Sequence, residues 1–527
     1  MGCSPEEPRL RPFTDTGSFH LDTDHDKLPQ VALRSAGLTV VSQGVILAVQ
    51  MFATFTLARL LTPHDFGLVT IVTTFTGLLG SFGLNGITEA VLQREKINRF
   101  LASNLFWINL AQGLVLTLVL AASGSLIAHW FREPLVAQAV FAMAPTILVS
   151  STSVLHLALL KRAMRFSAIS INDICARVLS VFVSIVLGLL GWGYWALVVG
   201  VIAQAVSTSI GAWAMCQWIP SFPRRAKGTA AMVRFSLSVY GHFITSYGAR
   251  NVDNVLVGLR FGTISLGFYK KAYDLFVLPT NQLLSPMSAV VIGMLSRLSR
   301  EQQQYKRHFL TGLSVLSFVA MAVSADLTLV GKDVIRVVLG PNWEATGGIF
   351  TLFGPAIGVM LLYNTHSALH LSLGKPDRWF RWGLIEFGTT VLFFILALPW
   401  GPEGIAVAWS ASYAVLIIPA FWYAGRPIHL GLGPILAVTW KYILASVLSG
   451  ITSAAIVREL HVLEGMPGIL GAEVRIVTTS SVFLVVYLSV VRIGCGREPF
   501  TQLTRLFGLL GWKEKFSKSF TVFQSAS

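Results

Sequence analysis

Charge is scarce in this sequence: Asp, Glu, Lys and Arg make up 12% of its residues, where soluble chains carry roughly 25%. That excludes a soluble domain wrapped in a solvated polar surface. Cysteine is scarce too. Cys3, Cys175, Cys216 and Cys495 are scattered without a CxxC pair, which excludes a disulfide framework and a zinc or iron–sulfur site. No Walker A loop occurs, so no ATP site is expected, and nothing in the sequence calls for a cofactor or a metal. Residues 1–30 lack an apolar run, so no cleavable signal peptide is expected and the first span must direct insertion. The start "MGCSPE" has Glu6 where a myristoylation signal needs Ser or Thr. Residues 1–30 therefore read as a polar, disordered cytoplasmic tail.

Apolar residues are abundant instead. They make up 54% of the chain, with a mean hydropathy of +0.67. Runs long enough to cross a bilayer, about 20 residues each, recur from near 32–58 to near 473–492, fourteen in all. Turn signals separate them, among them "TPHD" at 62–65, "REP" at 132–134 and "GKPD" at 374–377. The expected fold class is all-α, a polytopic membrane protein. The net charge of +15 then points to cytoplasmic loops facing anionic lipid rather than to nucleic acid. With the N-terminus inside, inward loops carry eighteen Lys and Arg and outward loops seven. The alternation runs loop by loop, as the positive-inside rule requires, and an error of one span would scramble it. Both termini are expected in the cytoplasm.

A repeat is visible. "LARLLTPHDFGLV" (57–69) aligns with "VGLRFGTISLGFY" (257–269) so that Gly67 matches Gly267, an offset of 200. Six spans separate the copies, so both have the same orientation. This predicts two pseudo-symmetric six-helix lobes related by an axis along the membrane normal, a parallel repeat of the kind found in transporters. The expected divisions are the tail 1–30, an N-terminal lobe 31–219, a C-terminal lobe 220–430, two extra spans in 431–495, and a basic cytoplasmic tail 496–527.

The polar residues inside the spans carry the functional signal. In "YGARNVDNVLVGLRFG" (247–262), Arg250, Asp253 and Asn254 fall on one helix face, three and four residues apart. A charge at mid-bilayer costs roughly 2.5–3.5 kcal/mol, so this face must meet a wet cavity or a partner helix. It reads as a cavity face that contacts an anion, with Asp253 orienting Arg250. The bland alternative is a pair that only locks helices together. Arg34 and Arg59 flank span 1, Glu89 lies near the inner end of span 2, and Lys270, Lys271 and Asp274 open span 8 beside Tyr269 and Tyr273. Arg59, Lys270 and Arg34 join the candidate substrate-binding set, while Glu89 and Asp253 are candidates for ion coupling. Asp173 with Arg177 reads as a structural pair. "HSALH" (366–370) spaces two histidines as in a zincin helix, but Ser367 stands where Glu is needed, so a polar helix face is expected there. "GWGYWA" (191–196) fits a dinucleotide fingerprint only formally, because no strand precedes it.

Taken in order, "LARLLTPHDFGLVTIV", "FGLNGITEAVLQRE", "LLKRAMRFSAISINDICARV", "GWGYWALV", "ARNVDNVLVGLRFGTISLGFYKKAYDLFVLP" and "LGPNWEAT" resemble the Wzx-type polysaccharide export proteins. These are lipid-linked oligosaccharide flippases of the multidrug/oligosaccharidyl-lipid/polysaccharide exporter superfamily, and the resemblance runs from about 33 to about 425. It implies two lobes around a partly cationic cavity in the bacterial inner membrane. It implies alternating access, with an undecaprenyl-diphosphate-linked oligosaccharide as cargo and polymerase and export machinery as further partners. By position Arg250 and Asp253 match the family's "RN-DN" stretch, and Arg59 its "LARLLTP" segment. Where relatives continue "LYSLAYR", this chain has "FYKKAYD" (268–274). The rival readings within this fold are an ion-coupled drug exporter and a peptidoglycan-precursor flippase. An enzyme is not expected, because no outward domain carries catalytic side chains.

Overall fold

The structure is a computed structural model that describes residues 10, 12–14, 19, 28–94, 97–224, 229–459, 468–496, 499 and 501. Among the described residues it is all-helical, with only isolated bridges outside the helices. The chain divides into two compact units, Met1–Lys270 and Lys271–Ser527.

Unit 1 holds α1 (Leu28–Leu60), α2 (Pro63–Gln93), α3 (Arg99–Phe131), α4 (Leu135–Met143), α5 (Pro145–Arg162), α6 (Phe166–Leu189) and α7 (Tyr194–Met215). It also holds α8 (Thr229–Arg297) as far as Lys270. The helix starts are written locally. Thr62 and Asp65 cap α2 reciprocally, the Asp65 carboxylate accepting from the Thr62 backbone N–H at 2.9 Å, with Pro63 in the first turn. The Asn98 side chain caps α3 by accepting from Leu101 N at 2.8 Å.

The helices are inverted relative to soluble ones. On α6 the buried residues include Ala168, Asn172, Ala176, Ser180, Ser184 and Gly188, one every fourth position. Ile171, Val178, Leu179, Phe182 and Leu189 are exposed. This small, polar stripe is the pattern of a helix whose other face meets lipid, since small residues let backbones approach. It receives α7: Ser180 donates to the Gly200 carbonyl at 2.8 Å, and Asn172 donates to the Thr208 carbonyl at 3.1 Å. Any side chain at Gly200 would collide with Ser184, and any at Gly211 with Asn172. Asn109 on α3 likewise donates to the Ser151 carbonyl on α5 at 2.8 Å.

Residues of the expected tail have defined contacts. Leu10 N–H donates to the Met215 carbonyl at 2.7 Å, and Gln217 N–H donates back to Leu10 at 2.9 Å. Phe13 lies 5.8 Å from the Trp218 ring, and the Arg162 guanidinium lies 5.2 Å over Phe19. Leu10, Phe13 and Phe19 thus pack with Ile97, Cys216 and Trp218 in one apolar cluster of unit 1.

Unit 2 holds the rest of α8, then α9 (Gln302–Val338), α10 (Glu344–Asn364), α11 (His366–Ser372), α12 (Pro376–Ala397), α13 (Gly401–Gly425), α14 (Leu432–Glu459) and α15 (Gly468–Cys495). The long α9 is its spine. The last helix is fixed to it by Arg475 Nε donating to Asp333 at 3.0 Å, Ser480 to Asp326 at 3.1 Å and Tyr487 to the Phe318 carbonyl at 2.8 Å.

Among the described residues eleven stretches are long and apolar enough to cross a membrane. One of them, Asp377–Ile428, contains both α12 and α13. The charged α8 is not among the eleven and contributes two arms, divided at Gly262 (φ 80°). Spans 4 and 10 are each broken in two, α4/α5 at Pro145 and α10/α11 at Thr365. Counted this way, the described residues hold fourteen membrane-length helices, the number that the hydropathy pattern gives.

Candidate translocation site on the seventh span

The site is built on the turn in α8. In a straight helix, residues 253 and 269 would stand about 24 Å apart at 1.5 Å per residue. Instead the Tyr269 hydroxyl donates to Asp253 Oδ2 at 2.7 Å. The two arms therefore fold back on each other at Gly262, whose positive φ is open to glycine. Asp253 is 0% exposed. Its second oxygen, Oδ1, accepts from the Asn254 backbone N–H at 2.9 Å.

A polar ladder leads away from this carboxylate along the first arm. Asn254 Nδ2 donates to Asn251 Oδ1 at 3.2 Å, and Asn251 Nδ2 donates to the Tyr247 carbonyl at 3.0 Å. The Tyr247 hydroxyl then reaches the Thr74 carbonyl on α2 at 3.1 Å. Gly77 makes that reach possible, because any side chain there would overlap the Tyr247 ring. Asn254 Oδ1 is buried without a hydrogen-bond partner among the described residues.

Arg250 stands in different surroundings. It is exposed while Asp253, one turn on, is fully buried. The carboxylate is thus held by Tyr269, and the guanidinium on the same helix is open. Arg59 is exposed at the end of α1, its guanidinium 3.8 Å over the Phe55 ring, and α1 packs chiefly on α6. Lys270 is half-buried beside Tyr269, and Glu89 is half-buried on α2. Arg34 lies on α1, but its side chain is outside the described residues. The structure brings Asp253 and Asn254 together with Tyr247, Asn251 and Tyr269. Tyr247 and Asn251 are four apart on the arm, a spacing that could have flagged them. Tyr269 is sixteen residues from its partner, beyond any local pattern.

At the turn itself the repeat becomes a contact. A methyl on Gly67 would overlap the Thr263 carbonyl, and one on Gly267 would overlap the Pro63 carbonyl. Residue 67 meets 263 and residue 267 meets 63, the reciprocity of a two-fold relation. Beside this contact His64 Nε2 lies 2.9 Å from Glu133, and the Thr263 hydroxyl lies 3.5 Å from the same carboxylate. Among the described residues no group of three or more His, Cys, Asp or Glu could hold a metal.

Residues 56–347, more than half of the chain, match the sequence profile of a family described as polysaccharide biosynthesis protein. The chain belongs to this family. Its relatives include the succinoglycan biosynthesis transport protein ExoT of Rhizobium meliloti (strain 1021), 22% identical over 67% of this chain and 72% of that protein. The teichuronic acid biosynthesis protein TuaB of Bacillus subtilis (strain 168) is 24% identical over 69% of this chain and 76% of its own length. The lipopolysaccharide biosynthesis protein WzxC of Escherichia coli (strain K12) is 21% identical over 68% and 73%. Among solved structures, the lipid II flippase MurJ in an inward closed conformation superposes with a TM-score of 0.68, at 15% identity, over 88% of this chain and 98% of that one. An inward-facing multidrug resistance transporter of the MATE family reaches 0.58 at 14% identity over 72% and 94%. At such identities these two structures show the fold. The resemblance to Wzx-type exporters of this superfamily holds, and members of this polysaccharide biosynthesis family with this fold are multi-pass membrane transporters.

Proposed function

We propose that this protein flips undecaprenyl-diphosphate-linked oligosaccharide repeat units across the bacterial inner membrane, for exopolysaccharide, capsule or O-antigen synthesis. The two lobes alternate access, both termini lie in the cytoplasm, and the glycan polymerase and export machinery receive the product. The observation that carries this reading is an exposed guanidinium, Arg250, on a membrane-spanning arm whose carboxylate, Asp253, is buried and bonded to Tyr269. A cation left open in a transmembrane helix needs an anionic partner. The planar fork of Arg matches a diphosphate bidentately, which a drug cation would not reward. Relatives named for succinoglycan, teichuronic acid and lipopolysaccharide biosynthesis support a glycan cargo over a peptidoglycan precursor. Arg59 and Lys270 are further proposed cavity cations, and Glu89 or Asp253 the proposed ion-linked carboxylates.

The test deletes the gene in its host and restores it as wild type or Arg250→Ala at matched membrane levels. Accumulation of lipid-linked oligosaccharide with loss of surface glycan in the alanine strain is the expected result. Normal export in that strain would remove Arg250 from the transport path.

A further inference from the structure

Unit 1 buries a histidine that the proposed transport site does not use. His156 on α5 is 0% exposed. Its Nδ1 lies 3.2 Å from the Thr152 carbonyl oxygen, one turn back, and its Nε2 lies 3.1 Å from the Trp218 carbonyl oxygen. A carbonyl can only accept, and a neutral imidazole carries a single N–H. The neutral ring therefore serves one of these oxygens and turns a lone pair on the other. The imidazolium, with a hydrogen on each nitrogen, serves both. The Thr152 carbonyl also accepts from Trp213 Nε1 at 3.0 Å. In the neutral ring the hydrogen thus belongs on Nε2, and the Nδ1 lone pair faces an oxygen that already has a donor.

The Trp213 ring of α7 stacks on the imidazole with 4.2 Å between centroids, and the Trp218 and Phe106 rings stand 5.3 and 6.1 Å away. Burial opposes a charge here, while the two carbonyls and the Trp213 face favour it. The charged groups on the elements packed around the ring are Glu89 on α2, Arg99 at the start of α3, Lys161 and Arg162 at the end of α5, and Asp173 and Arg177 on α6. Cys216, at the end of α7, is the titratable neighbour there. Among the described residues no charged side chain bears on the ring. Arg162, the nearest along α5, donates to the Val91 and Arg94 carbonyls at the end of α2.

Trp218 belongs to the segment that follows α7, and side chains of α3 hold the rest of that segment. Ser221 N–H donates to Ser103 Oγ at 3.0 Å, and Trp107 Nε1 donates to the Ser221 carbonyl at 2.9 Å. Asn104 accepts from Arg224 N–H at 3.0 Å and donates to the Arg224 carbonyl at 2.6 Å. The same amide donates to the hydroxyl of Thr229, the first residue of α8, at 3.3 Å. His156 adds a tie from α5. We propose that His156 is a proton-operated latch on residues 216–224. One proton adds to the Nδ1 lone pair, and the step needs no other reactant. The contact with Thr152 then becomes a hydrogen bond. The bond from Nε2 to Trp218 becomes charge-assisted and therefore stronger. Acid thus tightens the segment from which α8 starts, and the latch stands independently of the transport reading.

The test uses the full-length protein in bilayers, isotope-labelled for solid-state nitrogen NMR. The imidazole signals missing from His156→Gln belong to His156; contacts with the Trp213 ring assign the same signals if that variant does not fold. They should show one lone-pair nitrogen at about pH 8 and two N–H nitrogens at about pH 5. A ring still neutral at about pH 4.5 overturns the proposal. Hydrogen exchange of peptides spanning 216–224, corrected for the intrinsic effect of pH, reads the latch itself. Protection in the wild type should be several-fold higher at about pH 5 than at about pH 8. His156→Gln, which keeps one hydrogen-bond donor, should lose that difference. Equal protection at both pH values in the wild type overturns the latch whether or not the variant folds. A difference that persists in His156→Gln belongs to another group and overturns it too.

Discussion

Adding one methyl group at Gly67 or Gly267 tests the reciprocal contact directly. On Gly67 the new carbon meets the Thr263 carbonyl and lies 3.0 Å from Gly267 N; on Gly267 it meets the Pro63 carbonyl and lies 3.1 Å from Pro63 Cα. Every obstacle is backbone, so no side-chain rotation relieves the overlap. The two turns must part by roughly 1.5 Å to restore ordinary carbon–oxygen contact. Overpacking of this kind costs about 1–3 kcal/mol, and a contact with backbone on both sides belongs at the upper end. Both substitutions act on one interface. Once the first methyl has parted the turns, the second finds the room already made. The double variant Gly67→Ala/Gly267→Ala should therefore fall short of the sum of the singles by about 1 kcal/mol or more. The assay is SDS-driven unfolding of the purified protein in mixed micelles. Gly312→Ala serves as control, since nothing lies within 4 Å of a side chain there, and it should be neutral or slightly stabilising. Strict additivity of the two glycine variants would show that the contacts are independent and refute the reasoning.

The remaining expectations are briefer. Tyr269→Phe leaves one oxygen of the buried Asp253 without its hydroxyl donor and should cost about 1–3 kcal/mol in the same assay; Tyr269→Phe added to Asp253→Asn should cost clearly less than it does in the wild type. Burial pushes the Cys216 thiol up to about 12, so at neutral or mildly alkaline pH it carries no thiolate. With Cys3 and Cys495 replaced by Ala, a membrane-permeant maleimide should label the exposed Cys175 and spare Cys216. Deleting residues 1–19 removes Leu10, which is bonded across Cys216, and labelling of Cys216 should then rise several-fold. An unchanged rate would mean that the segment does not cover it.

Much of this architecture is legible in the chain because a membrane makes hydropathy local. Each span declares itself over about 20 residues, whatever it packs against. Even the interruptions are marked, by Pro145 in span 4 and by Gly262 between the arms of α8. The polar face of span 7 is visible for the same reason, since Arg250, Asp253 and Asn254 share one helix. Its internal wiring is not. Helical spacing pairs Arg250 with Asp253, but a hydroxyl donor to Asp253 arrives from the second arm, brought back by the turn at Gly262. The α6 stripe and Gly77 tell a similar story: glycine and serine every fourth residue are readable, yet the helix they admit is not.

The sequence by itself determined the number of spans, their alternation of charge and the repeat that aligns Gly67 with Gly267, because these depend on transfer of local segments into lipid. Only the tertiary structure decided that those two glycines meet each other's turns, that Asp253 belongs to Tyr269, and that His366 and His370 share a buried aromatic enclosure. Those outcomes depend on which distant backbone comes within hydrogen-bonding reach, and the free energy of that approach is spread over residues from several helices.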